Sequence, residues 1–434
     1  MGLLLRIAGV FINQDAKELE GVRGGLFRWL WRFYTWRLTH AGRWLVWPTV
    51  GLFAYTSSSL SYQAYVVLAY VLALWLVALG AALFFTPRAR ITVEHADRVS
   101  AGQTLPVEIA IEPAGAWSSD LYVVPHRLPA AVEAVPPDGV PVPPALPGQK
   151  ARARLALHCP RRGVYRLQGY RLESDFPFGI VRSLRAFERE SALVVYPRYE
   201  PLLRVEIPTG RRYQPGGVAL ASEMGDSVEF IGNRDYREGD NVRDIDWRAT
   251  ARLSKPIVRE YRQEYFLRVA IILDTHVPRA PFRLGPQTWR ASRRQSFEHA
   301  VSATAAMGEF LARKEYIVDI FAAGPNLYHL TAGRSLAYLE QILDILACVE
   351  ENPQEPFAVI EPELMSNLSR ISTVICVFLD WNETRRAFVR NLRAENVGVK
   401  TIVISDTPCT LSPREEGDVR LLTHADFANG IEEL

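Results

Sequence analysis

Uncharged positions dominate one early stretch of the chain: Trp44 to Pro87 contains no Asp, Glu, Lys, Arg or His. As one straight helix it would reach about 66 Å, roughly twice a hydrocarbon core of about 30 Å. Ser57, Ser58, Ser59, Ser61 and Gln63 interrupt it near the middle, which predicts a helical hairpin with a short polar turn. Ala64 to Phe85 is the stronger span. Trp44 to Leu60 carries Pro48 and Gly51, which suits a tilted, kinked or partly inserted segment, with Trp44 and Trp47 in an interfacial belt. Arg23, Arg28, Arg32, Arg37 and Arg43 precede the hairpin, and Arg88, Arg90 and Arg98 follow it. By the positive-inside rule both ends are cytoplasmic. The apolar stretch starts only at Trp44, with no small-residue cleavage site, so a cleaved signal peptide is not expected. Phe27, Trp29, Leu30, Trp31, Phe33, Tyr34 and Trp36 alternate with arginines, as in an amphipathic element on an anionic leaflet or the juxtamembrane end of the first helix.

After the hairpin the period changes to two. Leu105, Val107, Ile109 and Ile111 alternate with other positions, as do Ala151, Ala153, Leu155 and Leu157 with Arg152 and Arg154, which predicts a small antiparallel β domain. Prolines from Pro125 to Pro147 exclude a helix between these strands. From Arg268 the pattern changes again. The apolar run VAIILD ends at Asp274, and a helix follows with Ala300, Ala303, Met307, Phe310 and Leu311 on one face. Next come IVDIFAAG from Ile317, a helix with Leu336, Leu339, Ile342, Leu343 and Leu346, and TVICVFLD ending at Asp380. A basic helix with Arg385, Arg386, Arg390 and Arg393 and the run VKTIVISD ending at Asp406 complete the series. Apolar strands separated by amphipathic helices predict an α/β domain with a mainly parallel sheet. Ligands of such folds sit outside the carboxyl ends of the strands, here Asp274, Asp380 and Asp406.

Composition bounds the partners. The 434 residues suffice for two or three domains, and 50 basic against 48 acidic residues leave a net charge of +2, with no nucleic-acid signature. Cys159, Cys348, Cys376 and Cys409 lack CxxC spacing and read as four independent thiols in a reducing compartment. Asp226 to Arg268 holds nine basic and nine acidic residues. That density predicts a connector held by paired arginines and carboxylates, with a tight turn at Gly239.

Within the connector, REGDNVRDIDWRATAR from Arg237, then VREY from Val258 and a strand ending in Asp274, resembles domain-of-unknown-function family 58. RGVYRLQGYRLESDFPFGIVRS from Arg162 and VVYPR from Val194 resemble other markers of that family, although Phe176 separates Asp175 from Pro177 where the family often runs Asp directly into Pro. The resemblance implies a von Willebrand factor A-like final domain and a MoxR-type AAA+ ATPase partner, with a transglutaminase-like membrane protein sometimes associated.

The chemical candidates are sparse. A metal-binding von Willebrand factor A domain uses Asp-x-Ser-x-Ser, and here the window reads Asp274, Thr275, His276, Val277, Pro278. Both hydroxyl positions are lost, so no metal or other cofactor is expected. Asp240, Asp244 and Asp246 resemble a divalent-metal hydrolase cluster, but Arg237, Arg243, Arg248 and Arg252 are at hand to neutralise them. No HExxH, GxxxxGK[ST] or GxSxG occurs.

The expected organisation is a basic-aromatic juxtamembrane segment (1–43), two transmembrane helices (44–87), a β-rich domain (88–200), a charged connector (201–266) and the α/β domain (267–434). The expected protein is a non-enzymatic adaptor or scaffold, multi-pass in a bacterial inner membrane and in contact with its lipids, with cytoplasmic soluble domains. Asp274, His276, Asp380 and Trp381 are its candidate partner-binding rim. Gly239, Asp240, Arg243, Asp246, Trp247 and Arg252 form a structural motif. The alternatives are a metal-dependent ligand-binding domain and a hydrolase using the aspartate-rich connector.

Overall fold

The computed structural model describes residues 31, 33–59, 61–114, 120–145, 149–208, 228–263, 268–278, 286–323, 327–332, 337–413 and 418–434. Most of the 1–43 segment expected to lie along the membrane falls outside them, as does Leu336. The chain divides into two compact units, Met1–Tyr196 and Pro197–Leu434. The apolar helices therefore group with the β-rich region, and the charged connector groups with the α/β domain.

In the first unit, α1 (His40–Ser58) and α2 (Tyr62–Phe84) follow one another. Thr39 caps α1, its hydroxyl accepting from the Gly42 N–H at 3.0 Å. The two helices share a hydrogen bond from Trp75 Nε1 to Thr49 Oγ1 at 3.2 Å. Among the described residues α2 is the one helix long and apolar enough to cross a membrane. Its apolar surface runs all round, with Tyr62, Tyr70, Leu76 and Phe84 exposed. α1 carries His40, Arg43 and Pro48 and falls short of that hydropathy, so of the expected pair of spans α2 alone meets the criterion among the described residues.

The rest of this unit is a two-sheet sandwich. One sheet orders β1 (Ala89–His95), β3 (Thr104–Pro113), β7 (Ala151–His158) and β5 (Glu133–Val135) as β1-β3-β7-β5; the other orders β2 (Arg98–Ser100), β9 (Ser183–Tyr196), β8 (Gly163–Ser174), β4 (Leu121–Pro125) and β6 (Val140–Pro141) as β2-β9-β8-β4-β6. Leu105, Val107, Ile109 and Ile111 face Ala151, Ala153, Leu155 and Leu157 inside the core. Pairing is antiparallel apart from β2 with β9, which is parallel.

The second unit opens with a ribbon of β10 (Val228–Asp235) and β11 (Ile257–Gln263), joined through the short helix α3 (Trp247–Leu253). Its main sheet comprises β12 (Arg268–Leu273), β13 (Ile317–Ala323), β14 (Leu327–Ala332), β15 (Thr373–Phe378), β16 (Gly398–Ile404) and β17 (Val419–Leu422), in the order β14-β13-β12-β15-β16-β17. All neighbours are parallel except β13 and β14. Four helices complete the domain before the last one: α4 (Pro286–Arg313), α5 (Ala337–Cys348), α6 (Phe357–Asn367) and α7 (Glu383–Ala394). On one face Ala270, Ile272, Cys376 and Phe378 pack with Phe357, Ile360, Phe388 and Leu392 of α6 and α7. Alternation turns Val269, Ile271 and Leu273 to the other face, where α4 crosses β12, β13, β15 and β16. A Cβ at Gly308 would meet Ile342 at 3.2 Å, so the glycine lets α4 lie close on α5. The short helix α8 (His424–Asn429) follows β17.

Candidate functional site

β12 and β15 are parallel neighbours, with Leu273 opposite Val377, so their carboxyl ends deliver Asp274, His276, Asp380 and Trp381 to one rim. Asp274 sits at its centre and is fully buried. Its Oδ1 accepts from the His276 N–H at 2.9 Å and its Oδ2 from the Leu379 N–H at 3.1 Å. The remaining partner is a cation: Arg385 donates to Oδ2 through Nε at 2.8 Å and reaches it through Nη2 at 2.7 Å. Arg385, on the first turn of α7, is 1% exposed and its guanidinium lies 5.2 Å from the Phe357 ring centroid.

Asp274 Oδ2 is occupied by the Leu379 N–H and the guanidinium, Oδ1 has accepted one N–H, and the charge of the carboxylate is met by Arg385. His276 and Pro278 occupy the positions where hydroxyl ligands would stand. The Arg385 guanidinium faces the Asp274 carboxylate directly, and no group of three His, Cys, Asp or Glu side chains suited to a metal occurs among the described residues.

The other rim residues are also committed internally. Asp380 Oδ1 accepts from the Trp381 and Thr410 N–H groups at 2.9 and 3.1 Å, and Oδ2 from the Thr410 hydroxyl at 2.9 Å. Trp381 is 1% exposed and packs beside Phe378, with ring centroids 6.1 Å apart. The expectation that this ring is offered to a partner is therefore corrected. The chain turns back after Asp380, and the indole closes the end of the core instead. His276 remains half-buried, beside Asn352 in an isolated bridge.

The connector divides into an inner and an outer set. Asp240 is held bidentately by Arg234, both contacts at 2.7 Å, and accepts from the Arg237 N–H at 2.7 Å. The Arg234 hydrogen bonds, then that backbone bond, hold its carboxyl down at about 2. Gly239 supplies the turn with φ of 104°. Asp246 caps α3, accepting from Arg248 N and Ala249 N at 3.1 and 3.0 Å, and meets Arg259 at 3.4 Å. The guanidinium partners of these two carboxylates are Arg234 and Arg259; of the expected arginines, Arg237 and Arg248 contribute backbone N–H groups. Among the described residues Arg243, Arg248 and Arg252 are exposed, with no carboxylate in ion-pairing range. Trp247, a member of the expected structural motif, is 67% exposed. Val242 and Leu253 are likewise exposed. The seven-residue helix is too short to cover an indole at its first position.

Sequence pattern did not reveal a third grouping. His424 Nδ1 lies 2.6 Å from Asp406 Oδ2, and its Nε2 lies 3.0 Å from Ser296 Oγ, the spacing of a nucleophile, base and orienting acid. Ser296 nevertheless lies well inside the 28-residue α4 and is fully buried, where no substrate carbonyl reaches it and neighbouring N–H groups serve the helix. The three residues clamp α8 and the end of β16 onto α4. His299 stacks on Phe427 at 4.3 Å beside them. Burial, then the nearby His424, pushes His299 down to about 4.

Comparison with known proteins places these features. The family model described as "Protein of unknown function DUF58" matches residues 232–408. The "Uncharacterized protein YeaD" of Bacillus subtilis (strain 168) is 23% identical over 256 residues, which cover 57% of this chain and 62% of that relative. Among solved structures, the CARDB domain of a Pyrococcus furiosus protein, determined in complex with di-metal ions, is 13% identical at a TM-score of 0.16 and covers 26% of this chain and 90% of its own. A cohesin module of a Clostridium perfringens family 33 glycoside hydrolase is 12% identical at a TM-score of 0.14, covering 25% and 98%. The Arg234–Asp240 turn, the Asp246 cap and the Asp274–Arg385 pair all fall inside residues 232–408, the segment that matches the DUF58 family model.

Proposed function

We propose that this chain is a non-catalytic, membrane-anchored adaptor that docks a protein partner on the outer face of the 236–253 segment. The observation that carries this reading is the outward set of the connector. Trp247, Val242 and Leu253 lie exposed beside Arg243, Arg248 and Arg252, while Asp240 and Asp246 hold the backbone beneath them. Tryptophan and arginine are the residues richest in interface hot spots, and unpaired arginines around an apolar centre suit an acidic partner surface. The family resemblance implies a MoxR-type AAA+ ATPase as that partner, with a transglutaminase-like membrane protein as a further member of the assembly. The α/β domain is taken as von Willebrand factor A-like, with its ion site replaced by Arg385.

α2 serves as the anchor in this reading and α1 as a second, shorter crossing, with both termini on the cytoplasmic side of a bacterial inner membrane. Thiols introduced at Ser58 and Gln63 should then react from outside spheroplasts while one at Gly430 does not. The reverse pattern rejects that topology. For the docking face, Trp247→Ala and the pair Arg243→Glu with Arg248→Glu should reduce co-purification of the ATPase from native membranes without lowering the melting temperature. His276→Ala on the rim should leave it unchanged. Loss with His276→Ala but not with the connector variants would move the docking site to the rim.

A further inference from the structure

The ends of both apolar helices meet one turn of the β sandwich, Asp175 to Arg182, between β8 and β9. At the start of α1, the Thr39 N–H donates to Ile180 O at 3.1 Å and the Thr39 hydroxyl donates to Gly179 O. Arg182 N donates to Arg37 O at 2.7 Å. Gly42 is packed so tightly that an added Cβ would come within 2.2 Å of Ile180 O. At the end of α2, Ser183 Oγ donates to Phe85 O at 3.3 Å, and the Phe85 and Phe176 rings meet edge to face at 5.6 Å. Ile180 and Val181 are buried with Leu38, Ala78 and Ala82. The turn therefore lies alongside the last two turns of α2 rather than below its end.

Depth follows from helix geometry. Ala78 is six residues inside Phe84, or about 9 Å along the axis. The 23 residues of α2 span about 34 Å, just over a hydrocarbon core of about 30 Å. A turn that shares one buried cluster with Ala78 and Ala82 thus reaches the headgroup and acyl boundary. Its chemistry suits that place. Gly179 N is bonded to Asp175 O at 2.8 Å, Pro177 has no N–H, and the Gly179 and Ile180 carbonyls are taken by Thr39, which limits the polar backbone presented to lipid. Arg182 is paired with Glu173 and Asp175 at 2.8 and 3.0 Å. What remains outward is apolar, with Phe178 50%, Phe84 86% and Phe85 40% exposed, and Arg88 and Arg90 are exposed just beyond.

We propose that the Phe176–Val181 turn is a lipid-inserted wedge, seating Phe178 with Phe84 and Phe85 at the acyl boundary of an anionic bilayer while Arg88 and Arg90 meet its headgroups. The inference rests on α2 crossing that bilayer. It makes the β sandwich a body fixed on the membrane surface rather than one hanging from a linker.

The test uses the full chain with Cys348→Ser and Cys409→Ser, carrying either Phe178→Cys or, as an aqueous reference, Glu190→Cys. Each is labelled with a polarity-sensitive fluorophore and reconstituted into phosphatidylcholine and phosphatidylglycerol vesicles. The label at 178 should be blue-shifted, quenched by spin labels on the acyl chains, and severalfold less quenched by iodide than the label at 190. Arg88→Glu with Arg90→Glu should move the 178 label towards water, and removing phosphatidylglycerol should do the same. Equal iodide quenching at 178 and 190, in chains that resist alkaline carbonate extraction, overturns the wedge while leaving the anchor intact. A 178 label shielded from both iodide and lipid quenchers assigns the surface to a protein contact and also overturns the wedge. Release of the chain by carbonate overturns the anchor and the wedge together.

Discussion

Arg385→Ala removes the cation from a carboxylate that has no route to water, since Asp274 is fully buried and Arg385 is 1% exposed. The carboxylate would keep its two backbone donors and lose both guanidinium contacts. Deleting one member of a fully buried pair costs about 3 to 5 kcal/mol. Glu355 stands 3.7 Å from Arg385 Nη1 and is 41% exposed, so its contribution is that of a surface pair, under about 1 kcal/mol. At about 1.4 kcal/mol per tenfold, the α/β domain should open about 10²- to 10⁴-fold more often. Cys376 reports the opening: it is fully buried in β15 of the same core, and burial pushes its thiol well above the usual range. In detergent-solubilised full chain with the other three cysteines replaced by alanine, the rate of disulfide exchange at Cys376 should rise by that factor. Arg386→Ala is the control, because Arg386 is 50% exposed and pairs with Glu383 one helical turn away, and it should leave the rate unchanged. Exchange at the parental rate in Arg385→Ala would refute the assignment of this pair as the fastening of the rim. Restoration of the parental rate by millimolar magnesium would revive the metal-binding alternative.

The remaining predictions concern the connector and the clamp. Asp246→Ala should cost about 1 kcal/mol through loss of the α3 cap, whereas Trp247→Ala should stay within about 0.5 kcal/mol because the ring is exposed; thermal melts of the two separate the inner set from the outer. Asp240, lowered from 3.8 to about 2 by Arg234, contributes to stability above pH 3.8, and that contribution is lost as pH falls towards 2. Hydrogen exchange of the Arg237 amide should stay protected until that window. His299, lowered from 6.5 to about 4, is protonated more readily in the unfolded chain. Its contribution is complete above pH 6.5 and is lost as pH falls to 4, by at most about 3 kcal/mol and about half that after allowing for partial exposure; His299→Phe should flatten the melting temperature across this range. Ser296→Ala should lower stability by about 1 kcal/mol, and loss of a hydrolytic activity without that loss of stability would favour an enzyme.

The fold was legible wherever one period ran long enough. Alternation at Leu105 to Ile111 and Ala151 to Leu157 located two core strands of the sandwich because one face of each is wet. The solid apolar runs ending at Asp274 and Asp380 located the central parallel strands because both faces are covered. The edge strand β14 escaped because LYHLTA carries neither signature. Of the two apolar helices α2 alone meets the length and hydropathy of a crossing among the described residues, because α1 begins at His40 and takes in Arg43 ahead of the uncharged stretch from Trp44.

The site was legible in position and illegible in polarity. Strand ends placed Asp274 and Asp380 correctly, since topology alone brings neighbouring parallel strands to one rim. The partner of Asp274 lies 111 positions away in sequence, and Arg385 looks like its neighbours Arg386, Arg390 and Arg393 on a basic helix. Its distinction is helical phase: Phe388, Val389 and Leu392 are buried, and Arg385 stands three and four residues before the first two, on the same inward stripe. A charged residue on the apolar stripe of an otherwise amphipathic helix is therefore the signal that was present and unread. It marks a cation paired with a buried acid, here Asp274 at the end of β12. The converse holds at Trp247, a large aromatic among arginines that belongs to the expected structural motif. A seven-residue helix with one buried alanine offers no inward stripe wide enough to take it, so the indole and the exposed arginines beside it face outward together.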